Sequence, residues 1–152
     1  MPCILSHDDV FNSLVKTYSN LIIILECFFI KWNDFKHDVR DQDYALGLVT
    51  DIITSITDFN TTVLNLDVSI KKYHMSLTKY VDACKFTTGS DVSEIKNLRD
   101  EYNGDQDRVD TDVDNFYRCN GVLSTKLDDF YDANMFDHPD DAEFRCKLYI
   151  FR

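Results

Sequence analysis

A chain of 152 residues has room for one domain with a fair core and little more. Its formal charge of -11, from 27 acidic against 16 basic residues, argues against a general affinity for nucleic acid or for an anionic membrane surface. Any such contact must come from a local basic patch.

From the N-terminus, "MPCILSHDD" lacks the basic n-region of a secretory signal, and no targeting peptide is expected. The apolar run "LIIILECFFI" at 21–30 is only about half of the roughly 20 residues a spanning helix needs, and Glu26 interrupts it, so it reads as buried core. Around it Phe11, Leu14, Tyr18, Leu21, Leu25, Phe28, Trp32, Phe35 and Val39 step by three and four, and Val15, Ile22 and Phe29 add a parallel second stripe. This spacing predicts a first helix over 8–39, the most buried of the chain.

The polar stretch "HDVRDQD" at 37–43 marks a break, with Asp41 or Asp43 as N-cap of the next element. From there Val49, Ile52, Ile56, Phe59, Val63, Leu66, Ile70, Tyr73, Leu77, Tyr80 and Cys84 alternate steps of three and four without a slip. A second helix over 43–86 follows from that stripe. "FTTGSD" at 86–91 offers a glycine suited to a C-cap and Ser90 or Asp91 as N-cap, with Glu94 just beyond, and so reads as a hairpin turn.

A third helix over 91–136 is predicted by Tyr102, Gln106, Val109, Val113, Phe116, Asn120, Leu123, Leu127, Phe130 and Asn134. Pro139 ends any helix beyond it, leaving 137–152 as an irregular tail. With two prolines, Pro2 and Pro139, and four glycines in the whole chain, little interrupts these elements. The expected fold is all-α: one elongated domain over 8–136, its three long helices antiparallel in an up-down-up coiled-coil bundle. Such a bundle buries little on its outer faces, so the second stripe of the first helix predicts a homodimer.

The stretch "DQDRVDTDVDNFY" at 105–117 invites comparison with a calcium-binding loop. Starting at Asp110, positions 1, 3 and 5 carry oxygens, but position 6 is Asn115 where glycine is needed and position 12 is Gly121 where a glutamate is needed. The loop also conflicts with the apolar stripe through Val109, Val113 and Phe116. Asp105, Asp107, Asp112 and Asp114 therefore read as a solvated helix face. "DFKH" puts Asp34 and His37 one turn apart, a metal-competent spacing, but a di-iron bundle needs a second such motif and further carboxylates. No metal or cofactor is expected.

Nucleophilic chemistry finds no support either, since His7, His37, His74 and His138 are scattered and none is brought to a cysteine by spacing. An enzyme is not expected. The five cysteines lie far apart without a C-x-x-C pair, and their odd number suits a reducing, cytoplasmic setting better than a disulfide framework. In that setting the sequon at Asn60 carries no meaning.

Basic residues are unevenly placed. Lys71, Lys72, Lys79, Lys85, Lys96 and Arg99 face only Asp82, Asp91 and Glu94 over 71–99, whereas 100–114 holds seven acids and Arg108. The second hairpin is thus a positive tip on an acidic chain, and each cation near an anionic bilayer can add about 1 kcal/mol. An ordinary solvated mixture of charges is the plainer alternative.

Three heptad-patterned helices, the basic hairpin, "SLTKYVDACK" at 76–85 and "DVDNFYRCNGVLSTKLDDFYDANMF" at 112–136 together resemble the BAR domains of amphiphysin-like proteins and sorting nexins. The carrying positions are Tyr80, Ala83 and Lys85 at the end of the second helix, and Phe116, Asn120, Leu123, Leu127 and Phe130 along the third. The resemblance implies a crescent-shaped homodimer that senses or shapes curved membranes in trafficking, peripheral on the membrane and contacting anionic phospholipid. It implies lipid contacts at Lys71, Lys72, Lys79, Lys85 and Lys96, and a dimer contact around Phe28, Phe29 and Trp32. A spectrin-like or syntaxin-like bundle that binds protein rather than lipid shares the same periodicity.

Overall fold

The computed structural model describes residues 7–86 and 92–133. Helix α1 covers His7–Phe35, a short 3-10 turn follows at Lys36–Asp38, α2 covers Gln42–Phe86 and α3 covers Val92–Asp132. Among the described residues every regular element is helical, and the three helices start and break within a few residues of where the apolar spacing puts them. The hairpin turn at 87–91 and the tail from 134 onward lie outside the described residues.

The first break has a physical cause that the sequence contains. Asp41 is the N-cap of α2: its Oδ1 accepts from the backbone N–H of Tyr44 at 3.1 Å, and its carbonyl accepts from Ala45 N–H at 3.0 Å. Gln42 Nε2 donates back to the Lys36 carbonyl at 2.7 Å, which ties the 3-10 turn to the new helix. Val39 between them is extended and buried.

Helix α2 runs 45 residues and α3 41 residues without a proline. Threonines, poor helix formers because their hydroxyls compete for backbone groups, are accommodated by bonding back one turn: Thr50 to Leu46, Thr57 to Ile53, Thr61 to Thr57 and Thr78 to His74.

By compactness the chain divides into two units, Met1–Ile52 with Ser124–Arg152, and Ile53–Leu123. The first unit has an aromatic core. Phe28 is fully buried, its ring meeting Phe130 edge-on at 5.1 Å and Tyr131 at 6.2 Å, while Trp32 meets Phe130 at 5.7 Å. These are the T-shaped geometries that ring quadrupoles favour. Leu14, Leu21, Ile24 and Leu25 extend the buried stripe of α1, and Ala45 and Val49 are buried on α2.

The second unit is a pair of helices, α2 from Ile53 onward and α3 up to Leu123, and its contacts fix their direction. Phe59 stacks on Phe116 at 5.0 Å and Tyr73 meets Tyr102 at 6.5 Å, so fourteen residues up α2 correspond to fourteen residues down α3. The helices are antiparallel here. Leu66 and Val109 are buried at the midpoint of the same progression.

Candidate functional site

Between those aromatic and aliphatic layers lie two polar ones. Ser69 Oγ donates to Asp112 Oδ2, and Ser76 Oγ, seven residues on, meets Asp105 Oδ2, seven residues back. Ser76 also bonds the Lys72 carbonyl at 3.0 Å, and Lys72 Nζ stands 3.5 Å from Asp105 Oδ1. Asp105 is only 8 % exposed. A carboxylate so placed is tolerable because its oxygens have a hydroxyl and an ammonium to face.

These contacts correct the picture of a uniformly wet aspartate face. Asp107, Asp110 and Asp114 are exposed, but Asp105 and Asp112 turn inward and occupy the seam. The seam of α2 steps through Phe59, Leu66, Ser69, Tyr73 and Ser76, whereas Ile56, Val63, Ile70 and Leu77 are only half-buried along its flank. On α3 the same offset puts Asp105, Val109, Phe116 and Cys119 inside and leaves Gln106, Val113 and Asn120 half-buried. The signal that could have revealed this is the matched heptad spacing of Ser69 with Ser76 and of Asp105 with Asp112.

At the hairpin end of the pair, Tyr80 packs on Tyr102 at 4.9 Å. Burial, then the neighbouring Tyr102 and Asp110, hold the Tyr73 phenol above its ordinary value of 10.0. A hydrogen bond with Cys84 raises that of Tyr80, followed by smaller electrostatic effects of Cys84 and Tyr102.

The lysines of interest are all exposed. At about 100° per residue, Lys71, Lys72 and Lys79 fall within one arc of α2, with Lys71 and Lys79 turned away from the seam and Lys72 at the edge nearer it, where it faces Asp105. Lys85 lies off that arc, and Lys96 belongs to the first turns of α3. Lys71 Nζ pairs with Asp67 at 2.9 Å, an exposed contact one turn apart of the kind worth little in water. A cleft of about 400 Å³ opens beside the seam, lined by Asn65, Val68, Ser69, Arg108, Thr111 and Asp112.

The aromatic residues assigned to a dimer contact are placed differently. Phe28 and Trp32 are buried against Phe130 within the chain, so a second copy cannot reach them without opening the first unit. Phe29 is half-buried. The apolar positions of α1 that do remain open are Phe11, Val15, Ile23 and Ile30. By length and composition alone α1 could also cross a bilayer, because its apolar stretch extends well beyond 21–30, and only 28 % of that stretch is buried. A core helix meets the same criteria.

Among the described residues no group of three or more His, Cys, Asp or Glu comes together as a metal site, and α3 passes through 105–117 as continuous helix. Cys84 is an exposed free thiol and Cys119 a buried one. Cys27 is disulfide-bonded. No family model matches this chain, and no curated protein or solved structure is significantly similar to it.

Proposed function

We propose that this protein is a non-enzymatic, BAR-like helical scaffold that docks peripherally on anionic membranes through the outer face of α2 and works as a homodimer in an up-down-up arrangement, sensing or shaping membrane curvature in trafficking. One observation carries the proposal: Lys71, Lys72 and Lys79 share a single exposed arc on a chain whose formal charge is -11. A cluster of like cations on an acidic protein is the local patch that attraction to an anionic bilayer requires. Lys85 and Lys96 extend the positive end toward the hairpin.

Dimer formation is supported by the open apolar positions of α1, namely Phe11, Val15, Ile23 and Ile30. Sedimentation equilibrium reading twice the chain mass agrees with it, and a monomer at micromolar concentration contradicts it.

A second reading, a helical module that binds protein and not lipid, is favoured by the half-buried flank Ile56, Val63, Ile70 and Leu77, which a third helix would cover. Vesicle co-sedimentation separates the two. The membrane proposal expects the unmutated protein to pellet with phosphatidylserine vesicles and the variant Lys71→Glu/Lys72→Glu/Lys79→Glu/Lys85→Glu to remain in the supernatant. Absence of binding by the unmutated protein, or equal binding by the variant, leaves the protein-binding module.

A further inference from the structure

The arc that carries the three lysines also carries apolar side chains with nothing to cover them. Leu64 is 67 % exposed, Val68 65 % and Met75 63 %, on a helix whose other face is occupied by the seam with α3. At about 100° per residue, Leu64, Val68, Lys71, Lys72, Met75 and Lys79 all fall within an arc of roughly 100°. No acid between Thr61 and Lys79 shares this arc. Asp67 stands at its edge, paired with Lys71, and Asp82 closes it one turn past Lys79.

We infer that Leu64, Val68 and Met75 insert into the boundary between headgroups and acyl chains of an anionic bilayer, with Lys71, Lys72 and Lys79 reaching from the same face to the lipid phosphates. This rests on the membrane reading above and adds a hydrophobic component to it. Leucine, valine and methionine along one helical face, with long cationic side chains interleaved, make the amphipathic pattern that lies in the plane of a membrane interface. Lysine suits it because its four-carbon stem packs on apolar surface while the ammonium stays at the polar level. A second copy docking α2 on α2 would bring the same three cations into opposition, whereas the phosphates of an anionic bilayer complement them. The apolar triplet sits on a helix already held by its seam with α3, so docking needs no new helix to form.

The two components differ in their response to salt. Coulomb attraction to phosphate is screened within about 3 Å at 1 M ionic strength, whereas apolar insertion persists. The experiment is flotation of the intact protein with phosphatidylcholine vesicles containing about 30 % phosphatidylserine, at low and at high sodium chloride, using the unmutated chain, Leu64→Ser/Val68→Ser/Met75→Ser and Lys71→Glu/Lys72→Glu/Lys79→Glu. All three serine substitutions are at exposed positions, and circular dichroism verifies that helicity is kept. The expected result is that the serine variant still binds at low salt but loses about tenfold or more of the high-salt partitioning, and that the glutamate variant loses low-salt binding while its intact apolar triplet keeps most of the high-salt partitioning. Equal high-salt binding by the serine variant and the unmutated protein overturns insertion and leaves the membrane reading intact. No flotation of the unmutated protein overturns both, and assigns the apolar face to a protein partner.

Discussion

The two units solve the same packing problem with different chemistry. In the first, Phe28, Trp32, Phe130 and Tyr131 close edge-to-face around one another in a core of aromatic and aliphatic side chains, with the Tyr131 hydroxyl as a buried polar atom. In the second, apolar layers at Phe59, Leu66 and Tyr73 alternate with hydrogen-bonded layers at Ser69 and Ser76. Rings fill space with little regard to register; a serine facing an aspartate accepts one register only, because a slip leaves the carboxylate buried without its donor. The first unit is therefore built for burial, and the second for a defined alignment of two helices with an exposed outer face.

The largest effect expected from breaking that contrast comes in the first unit. Phe130→Ala removes the ring shared by Phe28 and Trp32 and should cost about 3–5 kcal/mol in a denaturant titration. In the second unit, Ser76→Ala withdraws a donor from Asp105 and should cost about 1–3 kcal/mol. The further change Asp105→Leu in the Ser76→Ala background should recover most of that loss, since an apolar pair has no buried polar group to satisfy. A double-mutant cycle in which the two losses simply add would show that the serine and aspartate do not act as a layer.

Smaller effects test the helices themselves. Gly104 and Gly121 lie within α3 with nothing within 4 Å of where a Cβ would stand, so alanine at either should raise stability by about 0.5–1 kcal/mol. The smallest effect is at high pH. Tyr73 holds its proton above the ordinary phenol value of 10.0 in the folded chain, so above that pH the unfolded state has lost a proton that the folded state retains. Stability is unaffected below that value and falls as pH rises past it, and Tyr73→Phe should flatten the fall in a pH series of thermal melts.

Much of the fold was legible because helices announce themselves locally. Asp41 before an apolar-periodic run, the absence of proline across 42–86 and 92–132, and steps of three and four are all properties of neighbours in the chain. The seam was legible only in part. Apolar spacing selects Ile56, Val63 and Ile70 as readily as the layer positions, and only about a quarter-turn of rotation about α2 separates a core side chain from a flanking one. What decides the rotation is the meeting of Ser69 with Asp112 and Ser76 with Asp105, residues 43 and 29 apart in sequence. Aspartates clustered in sequence look solvated until a partner helix supplies their donors. The lysine positions could be read one by one, but their alignment with Leu64, Val68 and Met75 opposite the seam required the rotation to be known.

The most direct measurement is a binding isotherm of the intact protein on vesicles of increasing phosphatidylserine content, compared with Lys71→Glu/Lys72→Glu/Lys79→Glu and with Lys16→Glu on the exposed side of α1. The outer face of α2 as docking surface predicts a steep rise with phosphatidylserine, unchanged by Lys16→Glu and abolished by the triple reversal. Binding that ignores phosphatidylserine content, or that survives the triple reversal, would contradict it.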